Sequence, residues 1–166
     1  MRIGALLVLV SSLFGAAQEP GTVTIFGVGS WFKGAPIATS GLVPSPVPSA
    51  AFIFDGNERL ALVTPGRFLS IHLPPGKHLL AASRDRKHPE GGIPAEITIE
   101  SGGHYFYSMT VSSSGVLFLN YTGHLKLVPC SDAHAIASTY KPVLSEKVQP
   151  DKRSSIVDTA SLPECK

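Results

Sequence analysis

The sequence predicts an all-β protein, an antiparallel β-sandwich followed by a short helix and an irregular C-terminal tail. Composition is the first reason. The 166 residues include Gly 16 and Pro 14, while charged residues are only 16%, a balance that suits many short strands and turns. The 43% hydrophobic residues are enough to fill the core of one domain. The second reason is period-2 alternation in short runs, which half-buried strands require. The third is punctuation. Asp55-Gly56-Asn57, Thr64-Pro65-Gly66 and Pro74-Pro75-Gly76 separate these runs with turn residues.

The chain opens with a segment set apart from this fold. Arg2 supplies a minimal basic region, residues 3–14 are apolar except for Gly4, Ser11 and Ser12, and Gly15-Ala16-Ala17 offers small residues before Gln18. This is the pattern of a cleaved signal peptide over residues 1–17. The apolar run is shorter than the ~20 residues a membrane span needs, so the mature chain is expected to have no transmembrane anchor. Cleavage near Ala17 sends it to a secreted or periplasmic location. With Arg2 removed, the mature chain has 13 basic against 12 acidic residues. A near-neutral chain with scattered cations has no field for nucleic acid, which sets that partner aside.

Residues 18–129 hold the expected sandwich. Thr22-Val23-Thr24-Ile25-Phe26 alternates and forms the first strand. Glycines loosen the chain around Trp31, residues 37–43 allow a weak strand, and Pro44, Pro46 and Pro48 make an extended connector. Ala51-Phe52-Ile53-Phe54 is a near-continuous apolar strand. Asp55-Gly56-Asn57-Glu58 turns it back into residues 59–63, and Thr64-Pro65-Gly66 turns the corner into residues 68–73. There Leu69, Ile71 and Leu73 share one face, with Phe68, Ser70 and His72 on the other. Pro74-Pro75-Gly76 leads into residues 78–83. Residues 84–94 read as a long exposed loop.

Ile97 and Ile99 then face inward between Glu96, Thr98 and Glu100. Residues 104–111 form an aromatic-rich strand, and residues 112–115 turn. Residues 116–121 and 125–128 are expected as two strands split by Thr122-Gly123-His124. Turns at roughly 8–12-residue spacing fit a sandwich of immunoglobulin or transthyretin-like topology. A small closed barrel is the alternative.

Residues 130–166 change character. Ser131 or Asp132 is placed to cap a helix over residues 133–139, and Lys141-Pro142 ends it. The polar remainder has sparse hydrophobics and no period, and is expected to be loose. Cys130 and Cys165 form an even pair in an oxidising compartment, which favours a disulfide over two free thiols. The bridge would close 34 intervening residues, a stabilisation on the order of 3–4 kcal/mol in the chain-entropy model.

No motif specifies a reaction. His72, His78, His88, His104, His124 and His134 show no H-x-H, H-x-x-x-H or HExxH spacing, so no metal set is assigned. Cys130 and His134 resemble half of a blue-copper ligand loop, but no methionine follows them. Residues 112–114 are serines in a turn without a nucleophile elbow. Asp55 and Glu58 sit in a turn, Glu96 and Glu100 on a solvated face, and Gly27-Val28-Gly29 precedes no helix. Trp31, Phe32, Tyr105, Tyr107 and Tyr121 are candidates for a sugar platform, though strand aromatics more often fill cores. Asn120-Tyr121-Thr122 matches an N-glycosylation sequon, relevant only in a eukaryotic host.

One stretch carries a resemblance. Ile53-Phe54-Asp55-Gly56, Leu60-Ala61-Leu62, Gly66-Arg67-Phe68 and Leu73-Pro74-Pro75-Gly76-Lys77-His78-Leu79, with the later residues 97–107, resemble the bacterial domain-of-unknown-function family 2846. The similarity spans about residues 22–128. Asp55, Gly56, Gly66, Pro74, Pro75 and Gly76 are its fold-signature turns. The resemblance implies an exported sandwich of transthyretin or carboxypeptidase-regulatory type and supplies no catalytic residues. Many relatives look like lipoproteins, whereas this chain lacks the lipid-acceptor cysteine. The expectation is a secreted, non-enzymatic binding or structural module of the cell envelope without a cofactor. Its partner would be an envelope protein or glycan, met by a strand edge or by residues 84–94. A small-ligand or metal carrier using loop histidines is the alternative, and a hydrolase with scattered carboxylates comes third.

Overall fold

The computed structural model describes residues 18–28, 50–114, 120–157 and 162. The expected signal peptide, weak strand and proline connector, together with Trp31, Phe32 and Cys165, lie outside the described residues. Nine strands and one α-helix follow in order among the described residues: β1 (Gly21–Gly27), β2 (Ala51–Asp55), β3 (Glu58–Val63), β4 (Arg67–Leu73), β5 (Gly76–Ser83), β6 (Ala95–Ile99), β7 (His104–Ser114), β8 (Asn120–Leu127), α1 (Cys130–Ala137) and β9 (Lys141–Pro142). They build two sheets, β8-β7-β1-β4-β9 and β3-β2-β5-β6. The immunoglobulin arrangement keeps the first two strands in one sheet. Here β1 and β2 lie in opposite sheets, so the transthyretin-like alternative describes the topology.

The pairing is antiparallel except that β1 runs parallel to β7 and β9 parallel to β4. The chain makes a complete excursion through the other sheet between β1 and β7, the long crossover that parallel pairing requires. Every residue of β1 is buried. Val23 and Ile25 face the main core with Ile53, Leu60, Leu69, Ile71, Leu80 and Met109. On the other face, the Thr24 and Ser70 hydroxyls lie 2.8 Å apart and satisfy one another. Further along that face, Phe26, Phe68 and Phe106 meet Ala133 and Ile136 of α1 in a second, smaller core. The non-leucine face of β4 is therefore covered as well.

Two expectations change at β8 and in the tail. Thr122-Gly123-His124 is not a turn, because β8 runs through it and pairs with β7 from Asn120 to Leu127. Gly123 is a point of close approach: a Cβ there would fall 1.9 Å from the Ala82 carbonyl oxygen of β5. Glycine in a strand often marks such a crossing rather than a break. Gly123 O also accepts the Ile93 N–H at 2.9 Å. Residues 84–94 are thus exposed along much of their length but stitched at their end to the β8 edge.

The tail is packed through residue 157, which corrects the expected loose segment. Lys141 N donates to Gly66 O at 3.1 Å and Val143 N to Phe68 O at 2.8 Å, along the β4 edge. Gln149 N reaches Leu60 O on β3 at 2.9 Å, and Val157 N reaches Ser70 O at 3.0 Å. Val148 is 3% exposed within the main core, and Val143 and Ile156 pack against it. Fully burying a valine contributes about 1.5–3 kcal/mol; Val148 supplies this and the half-buried Val143 and Ile156 add to it, which helps offset the ordering of a polar segment. This strap joins the edges of β3 and β4, which belong to different sheets. The helix also starts earlier than expected. Pro129 is the N-cap residue, its carbonyl accepts the Ala133 N–H at 3.0 Å, and neither Ser131 nor Asp132 caps.

Gly123→Ala forces the Ala82 backbone to move and is expected to cost about 3 kcal/mol. A urea-unfolding midpoint equal to that of the wild type would remove the close crossing of β5 and β8.

Candidate functional site

The fold-signature turns prove to be bonded to other parts of the fold. Gly56, Gly66 and Gly76 all have positive φ, at 56°, 74° and 140°, where a side chain would be strained. The Asp55 carboxylate reaches across to the other signature turn. Its Oδ2 is 2.6 Å from His78 Nδ1, and its Oδ1 accepts the Leu79 N–H at 3.3 Å. Gly56 N donates to Leu79 O at 2.8 Å, and His78 Nε2 lies 2.8 Å from the Pro74 carbonyl. His78 is thus held at both ring nitrogens between two acceptors, with its side chain only 10% exposed. Both partners present oxygen atoms to the ring. At the third turn, Gly66 N donates to Gly27 O and Gly66 O accepts from the strap.

The other histidines are dispersed. His72 and His104 flank Thr22 in register, and His72 Nδ1 lies 3.2 Å from Thr22 Oγ1. His88 sits in the exposed loop, 3.7 Å from Glu90. His134 is one helical turn from Cys130 on α1, while Met109 is buried in the main core. Among the described residues no group of three His, Cys, Asp or Glu side chains converges on a point. Tyr105, Tyr107 and Tyr121 all pack on the core. Tyr105 Oη accepts the Glu100 N–H at 2.9 Å, and Arg84 lies over the Tyr121 ring at 3.8 Å. Burial, with Tyr105 as a lesser cause, raises the Tyr107 pKa. These described aromatics form no open platform.

Sequence reading missed a serine–histidine contact. Ser112 Oγ lies 2.9 Å from His124 Nε2 across the β7–β8 pair. The missing signal was strand register, which depended on β8 being continuous. Among the described residues no carboxylate stands within ion-pair distance of His124, so the pair lacks the third group that orients a base in a triad. It reads as an exposed cross-strand hydrogen bond. Glu96 pairs with Lys77 at 3.4 Å on the solvated face of β5 and β6.

Two of the hollows among the described residues have the volume of a small-ligand site. One, of about 590 Å³, is mainly apolar and lies between the ends of β7 and β8 and the start of α1. The other, of about 440 Å³, is lined by Phe52 of β2, Arg59 of β3, Arg86 of the long loop, and Glu146, Lys147 and Arg153 of the strap. Four cationic side chains there face one carboxylate. The Arg59 guanidinium sits 5.5 Å from the Phe52 ring centroid, and Arg153 Nε donates to Ser145 O at 3.1 Å. Both contacts help hold a guanidinium in place. Among the described residues no arginine is paired with a carboxylate.

Lys152 is differently placed, with Nζ 2.9 Å from Glu58. Its hydrogen bond to Glu58 is the main cause that raises the Lys152 pKa. The raised value means that the lysine's charge in this tie between strap and β3 is present at neutral pH and is lost as alkaline pH passes the folded-state pKa.

Comparison of the chain with family models, with curated proteins and with solved structures finds no match. Among the described residues no helix is long and apolar enough to cross a membrane.

A double-mutant cycle on Asp55→Ala and His78→Ala is expected to show a coupling of about 1–3 kcal/mol in chemical unfolding. Additive losses would mean that the two turns are not energetically joined.

Proposed function

We propose that this chain is an exported, non-enzymatic β-sandwich module of the bacterial cell envelope that acts by binding, of the kind implied by its resemblance to domain-of-unknown-function family 2846. The cation-lined hollow between β2, β3 and the strap carries this reading. It gathers like charge on a nearly neutral chain, and two of its arginines are oriented by neighbouring groups. Other groups with chemical potential are engaged elsewhere. His78 is held between Asp55 and Pro74, and Ser112 contacts His124 with no orienting acid among the described residues.

The mature protein begins at Gln18, and a Cys130–Cys165 disulfide closes its end. In support, Cys130 is fixed in place as the first residue of α1. It packs beside the Phe26, Phe68 and Phe106 cluster that also receives Leu162, three residues before Cys165. The bridge would fasten the far end of the strap that forms one wall of the hollow.

Expression of the whole chain in a bacterial host, followed by fractionation and intact-mass measurement, tests this reading. The expected product lies outside the cytoplasm, starts at Gln18 and is lighter than its reduced form by two hydrogens. It also sediments saturably with isolated envelope, less so as salt is raised. A cytoplasmic chain retaining Met1 and showing no envelope binding would contradict the proposal.

A further inference from the structure

We infer that the hollow between the second sheet and the strap is a binding site for a phosphomonoester group, a ligand class that deepens the binding-module reading and rests on it. Arg59, Arg86, Lys147 and Arg153 come from three separate segments and line about 440 Å³ together. Guanidinium groups present fixed forks of N–H donors that match phosphate and carboxylate oxygens. Like charges gathered in one hollow repel one another, and only Glu146 offsets them among the lining residues. The Glu146 carboxylate lies 3.8 Å from the ammonium of neighbouring Lys147.

The excess of cations selects the ligand. A monocarboxylate brings one negative charge and a planar pair of oxygens. A phosphomonoester brings close to two charges at neutral pH and three terminal oxygens, enough to engage more than one fork. The hollow also exceeds the size of a lone phosphate, which leaves room for an organic body beside Phe52 and the stem of Arg59. A sugar phosphate in solution and the phosphomonoester headgroup of phosphatidic acid in a bilayer present the same chemistry.

The site also has a mechanical consequence. Arg59 belongs to β3, whereas Lys147 and Arg153 belong to the strap. An anion held by both walls ties them together, and a ligand that binds only the folded arrangement raises its stability. Ligand binding should therefore show as a higher melting temperature as well as heat of binding.

The test is titration of the full mature protein with glucose 6-phosphate at low ionic strength, read by calorimetry and thermal unfolding. Glucose and glucuronate serve as neutral and carboxylate comparisons. Glucose 6-phosphate is expected to bind and raise the melting temperature. Arg59→Gln and Arg153→Gln should each weaken it by about tenfold. Lys126→Gln, on the other sheet, removes the same charge and should leave binding unchanged. Phosphatidylcholine vesicles doped with phosphatidic acid assign the source: capture points to a lipid-borne phosphate, and exclusion alongside glucose 6-phosphate binding points to a soluble one.

Equal affinity for glucuronate, no binding of glucose 6-phosphate, or equal losses in Lys126→Gln and Arg153→Gln would overturn the phosphate assignment. Circular dichroism of the variants separates misfolding from a lost contact. Envelope sedimentation that persists when glucose 6-phosphate fails removes this ligand class and leaves the binding-module reading intact.

Discussion

A two-sheet sandwich leaves a seam on each side, and the rest of this protein depends on how those seams are closed. An exposed strand edge offers unpaired amides to any passing chain. On one side, the end of the long loop pairs with Gly123 of β8. On the other, the strap hydrogen-bonds to β4 through Gly66, Phe68 and Ser70, and to β3 through Leu60. Val148 fills the gap between them and is almost completely buried. Hydrogen bonding to the edges and burial of Val143, Val148 and Ile156 reinforce one another. Neither alone would order so polar a segment.

The same strap shapes the functional surface. Its outer turns bring Glu146, Lys147 and Arg153 against Phe52 and Arg59 of the second sheet. A segment that completes the fold therefore also completes the cation-lined hollow. The latch between Asp55 and His78 acts at another corner, fastening the turn before β3 to the turn before β5. It gives the two signature turns a physical reason to occur together, because the carboxylate in one binds the imidazole and the Leu79 amide of the other.

Local pattern made most of the sandwich legible. Leu69, Ile71 and Leu73 alternate and face the main core, and Ile97 and Ile99 do the same. Gly56, Gly66 and Gly76 were readable as turns because their backbone requirement is local. Gly123 was not readable, since a glycine at a turn and a glycine at a sheet crossing look alike without the Ala82 carbonyl beside it. The strap escaped because Val143, Val148 and Ile156 follow no strand or helix period; its backbone combines extended pieces with 3-10 turns. The cationic hollow escaped for a related reason. Arg59, Arg86, Lys147 and Arg153 are scattered along the chain, and only the strap's path brings them together. The Asp55–His78 contact lay within the stretch that carries the family resemblance, yet sequence separation hid which carboxylate the histidine would meet.

The central claim is that the strap is an integral layer of the sandwich. Amide hydrogen exchange tests it most directly, because the Val143, Gln149 and Val157 N–H groups each donate to a named strand carbonyl. The account predicts that these three amides are protected together with those of β3 and β4, and exchange only when that edge opens. Exchange at the rate of an unstructured chain, with β3 and β4 still protected, would contradict it.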